Sequence, residues 1–272
     1  MLEKAGFNTR LRGVYDRLRA VPILGAGLRL MANRLYPRGS RVWMTVKSGL
    51  GRGLWMHLDP RFEVGYCTGE YENAVQNFLA EQLRSGDTFY EVGAHIGFIS
   101  LIAACLVGAE GEIAVFEADP ENAARIQEHF RKNSVARARV IAQAVWSKSG
   151  SLQFERASAA SSRNTGAVRE NPESNRGCEA IEVEAVALDD YLQGRRPPSL
   201  VKIDVEGAEL HVLQGAEGLL TKHKPVLLCE VHSPEIAVRV ESFLIQHGYA
   251  LRWLVGGAQF PRHLVARPDS GI

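Results

Sequence analysis

The sequence predicts an α/β protein built on an open, mostly parallel sheet, and three stretches predict it. Thr88 to Val92 is an apolar strand that runs into a glycine turn and then a helix from about Phe98. Glu112 to Phe116 is a second strand about 20 residues further on, and it ends in an acid, Glu117. Leu200 to Ile203 is a third, followed by Asp204, Glu206 and then Gly207 ahead of the next helix. Strand, tight turn and helix in repetition is how doubly wound sheets are assembled. A length of 272 residues with 46% hydrophobic content suffices for one large α/β domain with a smaller appendage.

The elements follow in order. Net charge is +1, yet residues 1 to 60 carry eleven Lys/Arg against three Asp/Glu. Within that basic module Phe7, Leu11, Val14, Tyr15 and Leu18 recur at helical spacing among Arg10, Arg12, Arg17 and Arg19. Pro22 interrupts, and a second amphipathic segment runs from about Leu24 to Leu35. Such a helix pair suits peripheral contact with an anionic membrane or an acidic partner. It suits better still packing on the rest of the chain or on a second copy in a homodimer, with the arginines in solvent. Val21 to Leu28 is short, broken by glycine and closed by Arg29, so it does not read as a signal peptide. Val42 to Val46 and Leu54 to Leu58 alternate around Gly49, Gly51 and Gly53, which predicts a hairpin. Residues 1 to 65 are therefore expected to cap or dimerise a main domain of residues 66 to 272.

In that domain Gly69-Glu-Tyr-Glu72 opens a helix to about Leu83, with Val75, Phe78, Leu79 and Leu83 inward. Glu70 and Glu72 suit the positive end of a helix dipole and also a substrate contact. Val92 to Ala109 is uncharged for 18 residues, but it opens with glycines and a histidine, so it reads as a buried crossover helix. Pro120 starts a helix to about Asn133, and Ala138 to Ile141 is a short strand. Residues 156 to 180 form a polar loop between strand-like runs at Ser151 to Phe154 and Glu179 to Val186, a length typical of a lid. Tyr249 to Leu254 and Phe260 to Val265 predict a closing antiparallel edge. Cys67, Cys105, Cys178 and Cys229 lack metal spacing and read as reduced core thiols, hence a cytoplasmic compartment.

The chemistry gathers at two places. The loop after the first strand reads ExGxxxG, with Glu91, Gly93, His95 and Gly97. Glycines there let the backbone approach a ligand, but the carboxylate of Glu91 stands where a dinucleotide's pyrophosphate would sit. An acid suits a cationic or amino-bearing ligand, and Glu117 is placed for ribose hydroxyls. S-adenosylmethionine fits both acids better than a nicotinamide dinucleotide does. Ala144, within Ala142-Gln-Ala-Val-Trp146, falls where such folds line an adenine pocket. At the second place Asp204, Glu206, Glu230 and His232 come to neighbouring strand ends. Carboxylates beside an imidazole can move a proton near neutral pH, and Asp204, Glu230 and His232 would also suit Mg²⁺ or Mn²⁺. Lys202 lies two residues before Asp204 on the same strand face and is a supporting candidate at the substrate.

These motifs resemble the FkbM-type family of S-adenosylmethionine-dependent methyltransferases over roughly residues 65 to 255. The resemblance rests on Gly69-Glu-Tyr-Glu72, Phe89-Tyr-Glu-Val-Gly-Ala-His-Ile-Gly97, Phe116-Glu-Ala-Asp-Pro120, Ala187-Leu-Asp-Asp-Tyr191, Lys202-Ile-Asp-Val-Glu-Gly-Ala-Glu209 and Glu230-Val-His232. The family more often has Asp at the place of Glu91 and Asn at that of His95. The resemblance implies a Rossmann-like class I methyltransferase fold with seven strands in the order 3-2-1-4-5-7-6. It implies O-methylation of a sugar, glycoconjugate or polyketide hydroxyl, with a small-molecule or glycan acceptor. Removing the hydroxyl proton would fall to His232 or Asp204, with Glu206 and Glu230 holding acceptor hydroxyls. Methylation of a carboxylate or amine is the first alternative, and a non-catalytic cofactor-binding module docked through the basic N-terminus is the second. Nucleic acid is not expected as a partner, because the basic residues cluster only at the N-terminus and an Asn/Asp-Pro-Pro-aromatic signature is missing.

Overall fold

The computed structural model describes residues 39 to 156, 167 to 168 and 179 to 269. The basic helix pair expected before residue 36, with its membrane or dimer contact, and most of the 156 to 180 loop lie outside the described residues. The chain enters through a hairpin, β1 (Val42–Thr45) and β2 (Trp55–Leu58), then a short helix α1 (Val64–Thr68) and α2 (Asn73–Gln82). Next come β3 (Thr88–Val92), α3 (Phe98–Val107), β4 (Glu112–Phe116), α4 (Pro120–Lys132) and β5 (Ala138–Ile141). An insertion follows, of β6 (Ala144–Val145), β7 (Gly150–Arg156), β8 (Ala167–Val168) and β9 (Glu179–Val186). The chain closes with α5 (Leu188–Leu192), β10 (Leu200–Ile203), α6 (Glu209–Gln214), α7 (Glu217–Lys222), β11 (Val226–Val231), α8 (Pro234–Gln246), β12 (Tyr249–Trp253) and β13 (Arg262–Pro268).

The main sheet has seven strands in the order β12-β13-β11-β10-β3-β4-β5, which is the expected 3-2-1-4-5-7-6. Only β13 runs antiparallel to its neighbours. Every residue of β3 and of β10 is buried, as in a parallel sheet covered on both faces. One face packs Phe78, Phe89, Ile102 and Ile126 beneath α2, α3 and α4, and the other packs Tyr90, Val201, Leu213 and Val240 beneath α5 to α8. Burying one such large side chain stabilises by about 1.5–3 kcal/mol. The hairpin joins the first face: Met56 and Leu58 are fully buried in the same cluster, and the His57 N–H donates to His129 Nε2 at 2.8 Å.

Local chemistry sets the helix starts. Asp119 caps α4 by accepting the Glu121 N–H at 2.8 Å with Pro120 in the first turn, and Ser233 with Pro234 does the same for α8. The Ala187-Leu-Asp-Asp-Tyr191 run is structural here, since Asp189 accepts the Gly218 and Leu219 N–H groups, each at 2.7 Å, and so caps α7. Two expectations are corrected. The last strand begins at Arg262, not Phe260, because Pro261 has no N–H to give a ladder. Cys105 is exposed on the outer side of α3, while Cys67 and Cys229 are buried. No helix among the described residues is long and apolar enough to cross a membrane.

The insertion forms a second sheet, β6-β9-β7-β8, in which the two runs flanking the polar loop pair antiparallel from Gly150↔Ala185 to Arg156↔Glu179. Its apolar face, Ala144, Phe154, Val183 and Ala185, stands over the carboxyl end of β4. The cavity lies below it.

Candidate active site

A cavity of about 320 Å³ opens along the carboxyl ends of β3, β4, β10 and β11. This is the edge where open α/β sheets bind ligands. Its two ends differ in chemistry.

At one end Phe116, Ala144, Val145, Phe154 and Val168 make an apolar slot beside Glu117, Asn122 and Gln143. Glu117 is nearly buried, and its two oxygens accept the backbone N–H groups of His95 (2.7 Å) and Asp119 (2.9 Å). The Asn122 side chain is a third partner, and since a carboxylate has about four acceptor positions, Glu117 keeps one for the cavity. Burial pushes its pKa up to about 8 against the pull of those N–H groups. A slot for a flat ring beside a carboxylate with a spare acceptor position fits an adenosine.

The loop between the two ends depends on glycine. Gly93 has φ +80°, and a Cβ there would lie 1.8 Å from the Asp204 carbonyl oxygen, so β3 can meet the β10 turn only with hydrogen at this position. His95 has φ +53° and lines the cavity, with Nδ1 3.1 Å from the Tyr66 hydroxyl. Burial and Arg125 hold its imidazole below the ordinary pKa, hence neutral.

The other end is ionic. Lys202 is 2% exposed, and its ammonium lies 2.9 Å from Asp204, 3.7 Å from Glu91 and 3.9 Å from Glu72. Burial alone would drive Lys202 to neutrality, but the three carboxylates outweigh it and hold the proton more tightly than usual. Burial would likewise raise Asp204, and Lys202 reverses that, keeping it ionised. Glu91 is pushed up to about 7 by burial, against Lys202 and the Ser100 hydroxyl that donates to it. Glu230 rises to about 8, through burial and then the charge of Asp204, with which it shares a hydrogen bond.

His232 completes this end. Its Nδ1 lies 2.5 Å from Glu209 Oε1, while Nε2 faces the cavity with Glu206 at 3.6 Å and Asp204 at 3.8 Å. Burial pulls its pKa down, but the hydrogen bond and charge of Glu209, then Glu206 and Asp204, hold it at about 9.

The expected residues thus divide. Gly93, His95, Glu117, Ala144, Glu72, Asp204, Glu206, Glu230 and His232 all line the cavity. Glu91 and Lys202 do not: they lie beneath it, lining a 30 Å³ annex with Glu72 and Asp204, because each is engaged by the other. Glu70 is exposed and away from the lining, since the chain turns at Glu72 (φ +49°) and aims only that second acid inward. Gly97 serves packing, as a Cβ there would meet the Ile126 side chain at 3.0 Å. Trp146 stacks on His211 at 3.9 Å, outside the cavity. Two residues escaped the sequence reading. Glu209, whose signal is a lone acid opening the apolar helix α6, grips His232; Tyr71, an aromatic between two acids, lines the ionic end at 40% exposure.

Asp204, Glu230 and His232 come within 4.8 Å of one another, the spacing expected of metal ligands. They do not fit a resident dication. The ammonium of Lys202 already sits 2.9 Å from Asp204 Oδ2 and neutralises that carboxylate, so a divalent ion on Oδ1, the oxygen nearer His232, would meet a like charge across the same group. With pKa values raised to about 8 and about 9, Glu230 and His232 also carry protons that a dication would have to displace.

Comparison with known proteins agrees with this geometry. Residues 91–251 match the family model of the methyltransferase FkbM domain. A curated relative, the hexuronic acid methyltransferase AglP of Haloferax volcanii, is 26% identical over 164 residues, covering 60% of this chain and 63% of AglP. The crystal structure of a methyltransferase FkbM from Methylobacillus flagellatus superposes with a TM-score of 0.51 at 15% identity, covering 70% of this chain and 50% of that one. The matches therefore span less than two thirds of either relative.

Proposed function

This chain belongs to the FkbM methyltransferase family, and from that premise we propose that it methylates a hydroxyl of a sugar or similar polyol, using S-adenosylmethionine. The observation that carries the reading is His232, whose Nε2 faces the cavity among carboxylates while the apolar slot and Glu117 lie at the other end.

S-adenosylmethionine, when bound, supplies an electrophilic methyl group on a sulfonium. Glu117 would hold the ribose hydroxyls, with the adenine between Ala144, Val145 and Phe154. The carboxylates around Lys202 offer a negative field to the cationic end. His232 would take the proton from the acceptor hydroxyl, whose oxygen would receive the methyl group and leave a methyl ether and a neutral thioether. With a pKa near 9, His232 must first lose its own proton, which a positive charge bound beside it favours. Asp204 is a poorer base, because Lys202 keeps its pKa low. Its part is to orient, as is that of Glu206 and Glu230, which can accept hydroxyl hydrogen bonds while Tyr71 offers a ring face to a sugar. Positioning and proton removal together are what an in-line displacement needs.

A uronic acid acceptor is the second reading, favoured by the name of AglP. Against it, Glu72, Asp204, Glu206 and Glu230 crowd the acceptor end, and the buried ammonium there is shared among three carboxylates. The test is calorimetric titration with S-adenosylhomocysteine of wild type and Glu117→Ala, followed by turnover of glucosides, amino sugars and uronates. Micromolar binding weakened roughly tenfold or more by the substitution is expected, since a buried polar group left without its partner costs about 1–3 kcal/mol. No binding to folded wild type sinks the cofactor assignment, and preference for uronates sinks the polyol one.

A further inference from the structure

His232 sits at the junction of β11, the β10 turn and α6, and the residue that fixes it there is one that lines no cavity. Glu209 is 0% exposed. Its Oε2 has no hydrogen-bond partner, and its Oε1 receives, besides the imidazole, only the Gly207 N–H at 3.3 Å. A carboxylate so thinly solvated is costly to a fold, and among the described residues its one charged partner is His232. The geometry of that pair is directional. With Nδ1 committed to Glu209, the ring plane is set, and Nε2 is the nitrogen left to meet Glu206, Asp204 and whatever fills the cavity.

We propose that Glu209 is a positioning residue for methyl transfer: through Nδ1 it fixes the orientation and proton inventory of His232, so that Nε2 faces the acceptor hydroxyl. A buried carboxylate behind an imidazole does this elsewhere in proton-transfer chemistry, holding the tautomer and stabilising the imidazolium that forms when the proton arrives. Here the geometry also explains why the acid is on α6 and not at a strand end. An acid at the β10 turn, such as Glu206, reaches Nε2 from the cavity side and would compete with the acceptor, whereas the first residue of α6 approaches the ring from behind. The groups facing His232 are then Glu209 from α6, Glu206 and Asp204 from the β10 turn and, within 4.8 Å, Glu230 at the end of β11, while His263 of β13, its pKa lowered to about 4 by burial, is uncharged.

The proposal rests on His232 being the base, and its test separates the two. Histidine-labelled wild type, Glu209→Gln, Glu209→Leu and His232→Gln are each saturated with S-adenosylhomocysteine, and the His232 ring is read by nitrogen NMR at pH 7.5; His232→Gln identifies its signals. Wild type is expected to show both ring N–H protons, the Nδ1 proton exchanging slowly. Glu209→Gln should show a neutral ring, and Glu209→Leu, with an apolar side chain of similar size, should in addition lose the slow proton. With the best acceptor from the sugar panel, kcat should fall about 10²–10⁴-fold in both, with KM within twofold. Binding of S-adenosylhomocysteine within twofold of wild type identifies the folded variants, and Glu209→Leu decides where Gln destabilises. A wild-type ring signature in a variant that still binds overturns the role of Glu209. Full turnover by His232→Gln overturns the base assignment itself, and the catalytic purpose of Glu209 with it.

Discussion

Replacing Lys202 by Met keeps the length and apolar stem of the side chain and removes one charge from the centre of three carboxylates. Its ammonium lies 2.9 Å from Asp204, 3.7 Å from Glu91 and 3.9 Å from Glu72, and both Lys202 and Glu91 are 2% exposed. Removing one partner from a buried ionic pair costs about 3–5 kcal/mol. At about 2–4 °C per kcal/mol for a chain of this size, the melting temperature should fall by roughly 6–20 °C at pH 8. The loss should depend on pH in a definite sense. In wild type, Asp204 has a folded pKa below its usual 3.8, so it contributes stability above that value and loses it as pH falls. Glu91, raised from 4.5 to about 7, and Glu72, also raised, oppose folding as pH climbs through and beyond their usual value. Without the ammonium all three pKa values rise. The folded variant then binds protons that the unfolded chain releases, so its stability falls with pH from about 4.5 upward. Lys202 itself, its pKa raised, stays charged throughout this range in wild type. Thermal unfolding followed by circular dichroism at pH 5 and pH 8, without ligand, should therefore show a small gap at pH 5 and the full gap at pH 8. Equal gaps at the two pH values would refute the view that Lys202 is the internal cation of this carboxylate cluster.

The same ammonium leads to a second expectation, that millimolar EDTA leaves methyl transfer within twofold of the untreated rate and added Mg²⁺ or Mn²⁺ does not raise it. A tenfold stimulation would show that a dication does enter beside Asp204. The two loop glycines should separate in their effects. Gly93→Ala places a Cβ against the Asp204 carbonyl at 1.8 Å and must move the cofactor loop, so S-adenosylhomocysteine affinity should drop at least tenfold by calorimetry. Gly97→Ala meets only the Ile126 side chain and should cost about 1–3 kcal/mol in denaturant unfolding while affinity stays within threefold. Reversal of that order would place the ligand elsewhere.

The parallel strands were legible because both faces of the main sheet are covered: Thr88 to Val92 and Leu200 to Ile203 read as continuous apolar runs bounded by glycine or acid. Their spatial order is carried by no periodicity and came from the resemblance alone. The second sheet was half legible. Its runs at Ser151 and Glu179 alternate visibly, but nothing local says that they pair across the intervening loop, or that the two-residue strand at Ala144 joins them. Within the site, residues at strand ends were found because the fold sends every strand end to one edge. Tyr71 and Glu209 come from the starts of helices beside that edge, where sequence position does not reveal the direction of approach. Glu70 and Gly97 fall outside the cavity lining for the complementary reason: adjacency to a loop does not say which neighbour faces the cavity.

Lys202 shows how far alternation can be pushed. Two residues before Asp204, it had to share that residue's strand face, and the 2.9 Å contact agrees. Alternation did not place it below the cavity; pairing did. In the β10–β3 ladder Lys202 stands directly opposite Glu91, so the register of two buried strands sets a cation beside an acid where neither could be tolerated alone. A slip of one residue would put Lys202 opposite Tyr90 or Val92 and turn the charge to the apolar face that packs Tyr90 and Val201. The ion pair therefore penalises the wrong register of β10 on β3, and with it any arrangement in which Asp204 would not reach the same edge as Gly93. Whatever else it meets, Glu91 is in this fold the partner opposite Lys202 that holds the two central strands in step.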